Sequence, residues 1–151
     1  MPAAVRLSRP AAARGFTLIE IMVVVVILAI LGSLVAPSIL SRIDEARIVK
    51  AKQDLRLYES ALDLYRMDNY KYPTTDEGLQ ALVQKPNDPN IKNWRADGYV
   101  KQLVKDPWTH DYVYVAPGTN GAPYDLYSFG ADGQPGGQGN DADIYTREMT
   151  K

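Results

Sequence analysis

The sequence predicts an α+β fold in which one long N-terminal helix packs on a small antiparallel sheet. Two observations support this prediction. Apolar residues follow helical spacing over roughly 50 residues from Phe16. Two short β-rich segments, 112–115 and 124–129, lie close together near the C-terminus. The 151 residues suffice for one small domain beside a hydrophobic anchor.

Residues 1–15 form a basic segment in front of an apolar one. They contain no acidic residue and three arginines, Arg6, Arg9 and Arg14. A secretory signal peptide is cut after its apolar core, beside small residues. Here Val35-Ala36-Pro37 is a poor site because proline follows directly. A lone glycine precedes the apolar core instead, so we expect cleavage between Gly15 and Phe16.

The apolar segment 16–36 has the length of a transmembrane helix. Its 21 residues include one charge, and as a helix they extend roughly 32 Å, close to the ~30 Å of bilayer hydrocarbon. The arginines before it predict a cytoplasmic N-terminus, with the bulk of the chain across the membrane. The chain thus divides into a leader at 1–15, a transmembrane segment at 16–36 and a head at 37–151.

Glu20 is the one charge in this apolar segment. A carboxylate at mid-membrane costs about 2.5–3.5 kcal/mol on insertion scales and is usually partnered. Cleavage would create a partner, the α-amine of Phe16. The alternative is a plain single-pass anchor that tolerates Glu20 near the interface, but the spacing of Gly15, Phe16 and Glu20 favours the processed form.

Beyond residue 36 the helix is predicted to continue to about Asp68. Pro37 removes one backbone donor and should bend or loosen the helix locally. A face that is apolar from Ile48 onward then recurs at steps of three and four, at Asp44, Ile48, Ala51, Leu55, Tyr58, Leu62 and Tyr65. We interpret this face as part of the core of the head.

The polar face of the same helix carries Glu59 and Asp63 at i, i+4. Like charges at this spacing repel by about 0.2–0.5 kcal/mol. A cation from a neighbouring subunit, Lys101 or Arg95, would reverse that repulsion. A solvated acidic patch is the alternative, and the sequence leaves both open.

The first part of the head is predicted to be short and rich in turns. Thr74-Thr75-Asp76-Glu77 has the pattern of a capping box that opens a small helix through about Val83. Residues 86–97 form a predicted loop with Trp94 packed under it. Residues 99–104 are predicted to form a short strand.

The second part of the head contains the predicted hairpin. Asp106-Pro107-Trp108 marks a turn. The β-rich segments 112–115 and 124–129 follow, joined by Pro117-Gly118-Thr119-Asn120-Gly121 as the hairpin loop.

Composition excludes several function classes. The chain has no cysteine, which excludes disulfides, thiol chemistry and cysteine-based zinc sites. A single histidine, His110, argues against a His-rich metal site or a Ser-His-Asp triad, and we interpret it as a solvated loop residue. The net charge of −1 does not suggest a nucleic-acid partner. We therefore expect no enzyme.

Residues 130–143 contain five glycines, three aspartates and almost no apolar side chain. A floppy surface loop is one interpretation. A calcium loop is the other, because Ca²⁺ takes six to eight oxygens and glycine lets backbone carbonyls turn inward. Asp132 and the pair Asp141 and Asp143 bracket the loop. The spacing does not match an EF-hand, and spacing alone leaves both interpretations open.

The N-terminal motif resembles that of a known family. Gly-Phe-Thr-Leu-Ile-Glu at 15–20, followed by an apolar helix, is similar to the class III signal of type IV pilins and type II secretion pseudopilins. The resemblance implies cleavage after Gly15 by a prepilin peptidase and N-methylation of Phe16. It also implies that Glu20 guides assembly of a helical filament.

Four further motifs resemble the general secretion pathway protein G family, the major pseudopilins of type II secretion: residues 72–82, 106–108, 128–133 and 140–144. The resemblance implies a homopolymeric filament that drives export of folded proteins across the outer membrane. Other implied partners are minor pseudopilins, the prepilin peptidase and the inner-membrane assembly platform. The implied location is the bacterial inner membrane, with the head in the periplasm.

The resemblance also implies a bound Ca²⁺ ion. By position it makes Asp132 and Asp141 side-chain ligands, with Asp143 as a third and carbonyls near Phe129 and Gln134 completing the shell. The sequence departs from the family at 145–147, where Tyr-Thr-Arg stands in place of the common Gly-Asn-Trp. This departure leaves open how the C-terminus closes.

Two alternative functions are also compatible with the sequence. One is a type IV pilin for adhesion, motility or DNA uptake, but major type IV pilins usually close their C-terminal loop with a disulfide and this chain has no cysteine. The other is a membrane-tethered enzyme or calcium-dependent binding module, and the lack of a catalytic constellation argues against the enzyme.

Overall fold

A computed structural model of the chain describes residues 15–148, except for the side chains of residues 35–38, 40 and 148. The predicted leader therefore lies outside the described residues, apart from Gly15. The chain divides into two compact units, residues 1–40 and 41–151.

One helix, α1, runs from Leu18 to Asn69 and confirms the predicted long helix to within a residue of its expected end. Its backbone continues through Pro37, where the sequence predicts a local bend or loosening. Thr17 opens the helix, since its Oγ1 accepts a hydrogen bond from the Glu20 amide at 3.3 Å.

In the first unit, the side chains of α1 are exposed along its whole described length. Phe16 is 78% exposed and Leu18 is 83% exposed, and the apolar residues through Leu34 are exposed likewise. Counted over the residues whose side chains are described, no helix combines the length and apolar content needed to cross a membrane. The transmembrane helix at 16–36 stays a prediction.

In the second unit, α1 supplies the centre of the hydrophobic core. The predicted apolar face is confirmed, because five of its members are buried: Ala51, Leu55, Tyr58, Leu62 and Tyr65. They pack with Leu82, Ile91 and Leu126 from the head. The helix ends at a tyrosine rather than a glycine: Tyr70 adopts φ +62° and donates its amide to the Arg66 carbonyl at 2.7 Å.

The sheet has three antiparallel strands in the order β1-β2-β3: β1 Val113–Val115, β2 Asp125–Ser128 and β3 Ile144–Tyr145. Tyr114 pairs with Leu126 and Ser128 pairs with Ile144. The α+β class and the β1–β2 hairpin are thus confirmed. The sequence prediction missed β3, because a two-residue strand is too short to show alternation.

The predicted capping box forms, but the predicted helix after it is shorter. The Thr74 amide donates to Glu77 Oε2 at 2.8 Å, and the Glu77 amide donates to Thr74 Oγ1 at 3.3 Å. Only Leu79–Leu82 is helical, as a 3₁₀ turn. The reason is Gly78, whose φ of +56° and ψ of −163° interrupt any helix between the box and Leu79.

The predicted strand at 99–104 is wrong, because its backbone finds other partners. The amides of Tyr99 and Val100 both donate to the Leu82 carbonyl, at 2.7 and 3.2 Å. The Val104 amide donates to the Tyr58 hydroxyl at 2.8 Å. The predicted position of Trp94 is confirmed, since its ring packs on the core and Nε1 donates to the Ala81 carbonyl at 2.8 Å.

Candidate functional sites

The segment 130–143 is a closed loop between β2 and β3, held mainly by its own backbone. The Ala131 amide donates to the Asn140 carbonyl at 2.9 Å. The Asp143 amide donates to the Gly136 carbonyl at 3.2 Å, and the Gly136 amide donates back to Asp143 Oδ2 at 3.1 Å. The loop is therefore ordered without an apolar core of its own.

Two glycines let the halves of this loop approach closely. A Cβ at Gly130 would lie 2.7 Å from the Ala142 carbonyl oxygen, and one at Gly137 would overlap the Asp141 carbonyl. Both residues also have positive φ, +71° and +77°. Only glycine adopts this backbone without strain, so carbonyl oxygens are brought together where the loop folds back.

The three aspartates of the loop have different environments. Asp132 is exposed, and its Oδ1 accepts from the Gln134 amide at 3.0 Å. Asp141 is exposed. Asp143 is half-buried, and its Oδ1 is a buried oxygen without a hydrogen-bond partner. A buried carboxylate oxygen of this kind is costly unless a donor or cation reaches it.

Within the described part of the chain, no group of three or more acidic, histidine or cysteine side chains is placed to hold a metal ion. The loop nevertheless has the donors that Ca²⁺ prefers, namely carboxylates and glycine-flanked carbonyls. The unpartnered Oδ1 of Asp143 also fits a cation. Next to it, burial and then the Asp143 carboxylate raise the pKa of Tyr145 and of Tyr127.

His110 is a partly solvated loop residue, as predicted, with a side chain that is 38% exposed, and it also contacts the loop at 130–143. Its Nδ1 is 3.2 Å from the Gly130 carbonyl oxygen, and its ring lies 3.0 Å from where a Cβ of Gly133 would stand. The sequence signal was the preceding Asp106, a turn residue that is buried and accepts from the His110 amide at 2.8 Å and from Ser128 Oγ at 2.6 Å.

The acidic pair on α1 is only partly engaged within the chain. Asp63 is exposed and its Oδ1 accepts from the Tyr72 hydroxyl at 2.8 Å, while Glu59 is half-buried. Lys101 is exposed and makes no ion pair with the residues that the structure describes. The single chain therefore does not bring Lys101 to the acidic pair.

Arg95, the second candidate cation, is already used within its own chain. Its Nε lies 2.6 Å from Asp68 Oδ2. The hydrogen bond from Arg95 is the main reason that the pKa of Asp68 lies below its usual range. Lys101 is therefore the better candidate for an intersubunit contact.

The N-terminal assembly residues are all exposed in the first unit. Gly15, Phe16 and Glu20 lie at or just before the start of α1. The Glu20 carboxylate forms no ion pair among residues 15–148 as described. The sequence reasoning missed the cap by Thr17, although Thr-x-x-Glu at 17–20 is the signal for it.

Two family models match the chain. One is described as type II secretion system (T2SS), protein G, and covers residues 38–147. The other is described as the prokaryotic N-terminal methylation motif and covers residues 10–36. Together they span both units of the chain.

Curated proteins and a solved structure are similar over most of the chain. Type II secretion system core protein G of Pseudomonas aeruginosa is 59% identical over 131 residues, covering 86% of this chain and 92% of that protein. The Vibrio cholerae protein of the same name is 54% identical, covering 86% and 88%. The crystal structure of the major pseudopilin from the type 2 secretion system of enterohaemorrhagic Escherichia coli is 43% identical, with a TM-score of 0.60, covering 70% of this chain and 90% of that one.

Proposed function

We infer the function of this chain from its family: it belongs to the type II secretion system protein G family and is a major pseudopilin, a structural and non-enzymatic protein. We propose that it polymerises into a helical filament, the pseudopilus, which drives export of folded proteins across the outer membrane. No specific observation favours a type IV pilin or a tethered binding module.

The observation that supports polymerisation most directly is the first part of α1. The apolar side chains of this part of α1, as far as Leu34, are exposed, and so is Phe16 just before it. Exposed apolar surface of this extent is unfavourable in water and needs a cover. Lipid would cover it before assembly, and neighbouring copies of the same helix would cover it in a filament core.

Two charged contacts would hold the copies in register. In the first, the Glu20 carboxylate pairs with the N-methylated ammonium of Phe16 on an adjacent copy, after cleavage behind Gly15. In the second, Glu59 and Asp63 face Lys101 of an adjacent copy. Among the described residues of the single chain, neither Glu20 nor Lys101 forms an ion pair.

The further partners and the location follow the processing motif. A prepilin peptidase would cut and methylate the chain in the inner membrane, where the head faces the periplasm. An inner-membrane assembly platform would then add subunits to the filament, and minor pseudopilins would join it. A cytoplasmic ATPase of the system would supply the work, since this chain performs no chemistry.

We also propose that the loop at 130–143 holds Ca²⁺. Asp132 and Asp141 would be side-chain ligands, with Asp143 as a third and carbonyls near Phe129 and Gln134 as the remaining donors. The buried Oδ1 of Asp143 supports this proposal because it lacks any other partner. The ion would supply charge compensation for the three carboxylates and no catalytic chemistry.

One variant tests the function in cells that lack the native chain. Glu20→Ala should still be processed, so mass spectrometry of the membrane protein should show a start at methylated Phe16. Filaments and exoprotein secretion should be lost, because the carboxylate that pairs with the next subunit is gone. Glu45→Ala, which removes an exposed acid of the same helix, should leave secretion intact. Normal secretion with Glu20→Ala would refute the pairing.

A further inference from the structure

Strand β3 is too short to hold the end of the head by itself. It has two residues, Ile144–Tyr145, paired with Tyr127 and Ser128. Two ladder pairs contribute little, and the glycine-rich loop before it adds almost no apolar contact. One side chain of β3, that of Ile144, is buried in the core, and a further interaction fixes the chain end that follows it.

Arg147 supplies that interaction two residues after the strand. One guanidinium nitrogen, Nη1, donates to Asp125 Oδ1 at 2.8 Å and to Thr119 Oγ1 at 2.7 Å. Asp125 is only 7% exposed, and its Oδ2 accepts from the Thr119 amide at 2.8 Å. Both carboxylate oxygens are thus satisfied, and only Arg147 neutralises their charge among the ion pairs of the described residues.

The aromatic side chains of the strand pair extend this contact. The Arg147 guanidinium carbon lies 4.7 Å from the centre of the Tyr145 ring. The Tyr145 ring in turn lies 4.7 Å from the Tyr127 ring, tilted by 32°. A cation over a stacked aromatic pair is favourable. Arg147 therefore joins the β1–β2 hairpin loop, the start of β2 and β3.

We propose that Arg147 is a positioning residue: with Asp125 and Thr119 it forms a metal-independent clasp that fixes β3 and thereby places Asp143 at the end of the calcium loop. The contacts of Arg147 support the clasp, whereas its effect on calcium affinity rests on the function proposed for the loop. The clasp also explains how a chain with Tyr-Thr-Arg at 145–147 closes its C-terminus.

The link from the clasp to the loop runs through Asp143, the residue directly before β3. Its Oδ2 accepts from the Gly136 amide at 3.1 Å and lies 3.5 Å from the Tyr145 hydroxyl, while its Oδ1 is left without a partner. With β3 fixed, this carboxylate stays at the loop when no ion is bound. Calcium then binds without first ordering the chain end, which favours affinity.

The test uses the full chain in detergent micelles, with hydrogen exchange of peptides covering 144–148 and calorimetric titration with CaCl₂. In wild type, a chelator should speed exchange in 131–142 but not in 144–148. Arg147→Ala in chelator should speed exchange in 144–148 by roughly tenfold or more and weaken calcium binding roughly tenfold. Arg147→Lys, which keeps the charge, should recover part of both.

Lys105→Ala is the matched control, because the Lys105–Asp111 pair is exposed on both sides and 3.7 Å apart. It should change neither reading. The clasp is overturned if Arg147→Ala leaves exchange in 144–148 at the wild-type rate, if Arg147→Lys exchanges as fast as Arg147→Ala, or if chelation alone speeds exchange in 144–148 in wild type. The positioning role is overturned if Arg147→Ala speeds exchange in 144–148 while calcium affinity stays at the wild-type value. If wild type binds no calcium, the loop proposal fails, and the exchange data still decide on the clasp.

Discussion

Two regions of the head are ordered by opposite means. Between Ile48 and Tyr65, α1 contributes buried side chains, and Leu55, Leu62 and Tyr65 are fully buried. The loop at 130–143 contributes main-chain hydrogen bonds and glycine turns instead. The stability of the first region is therefore set by packing, while that of the second depends on whatever compensates its carboxylates.

The difference predicts in which region a bound ion would change stability. A packed core responds to a lost methylene but not to a cation, because hydrophobic burial is insensitive to charge. The loop has three aspartates and one carboxylate oxygen without a hydrogen-bond partner. Removing a methylene group from it should change stability very little. We therefore expect variants in the α1 core to change the free energy of unfolding equally with and without calcium. Variants in the loop at 130–143 should abolish the stabilisation by calcium.

The largest expected effect on stability comes from the core. Leu62→Ala should lower the free energy of unfolding by about 2–5 kcal/mol, because a fully buried leucine leaves a cavity. Urea unfolding of the full chain in detergent should show the same loss with calcium and with chelator. The matched control is Leu57→Ala on the same helix, which is 56% exposed. A loss that depends on calcium would break the separation of the two regions.

Calcium itself should have the next largest effect. Binding only to the folded form stabilises it by about 2.7 kcal/mol at a hundredfold excess over Kd, so the melting temperature should fall on chelation. Asp132→Ala and Asp141→Ala should each abolish this difference and lower secretion. Asp111→Ala, an exposed acid outside the loop, should keep it. If chelation does not change the melting temperature of the wild type, the segment 130–143 is a surface loop without a calcium site.

The sequence predicts the packed region much better than the loop, and the reason is physical. The apolar face of α1 is a local pattern, so its members from Ala51 to Tyr65 can be identified without the rest of the fold. The failed strand at 99–104 depends on distant partners, the Leu82 carbonyl and the Tyr58 hydroxyl. No local pattern reports such partners.

The segment of the candidate site could be located from its composition, but its geometry could not be predicted. The three aspartates and the glycines leave a calcium loop and a plain surface loop both open, and the placement of these residues depends on backbone turns such as Gly137 that spacing does not reveal. The contact of His110 with Gly130 and the clasp at Arg147 were both missed. Each joins segments 20 or more residues apart.

A smaller effect should come from the closest approach within the loop. Gly137→Ala adds a Cβ at φ +77° against the Asp141 carbonyl, which costs about 1–3 kcal/mol in backbone strain and displacement. Gly139→Ala is the control, since its φ of +63° is similar but its Cβ would meet open space. The difference between the two melting temperatures isolates the close approach. This difference in melting temperature should be present with calcium bound and smaller in chelator, because the loop is less ordered without the ion. Equal differences in calcium and in chelator would contradict this prediction.

The smallest effect on the isolated chain should come from Lys101, which belongs to neither region. Lys101→Glu removes no ion pair within the described residues, so the melting temperature should change by little. In the filament the new carboxylate would face Glu59 and Asp63 of the next copy and weaken assembly. Asp63→Lys in the same chain should restore part of it. Lys92→Glu, an exposed lysine of the same head, should leave assembly unchanged. Residues in contact give non-additive effects. If the effect of the double variant on filament yield equals the sum of the effects of the two single variants, the contact does not exist.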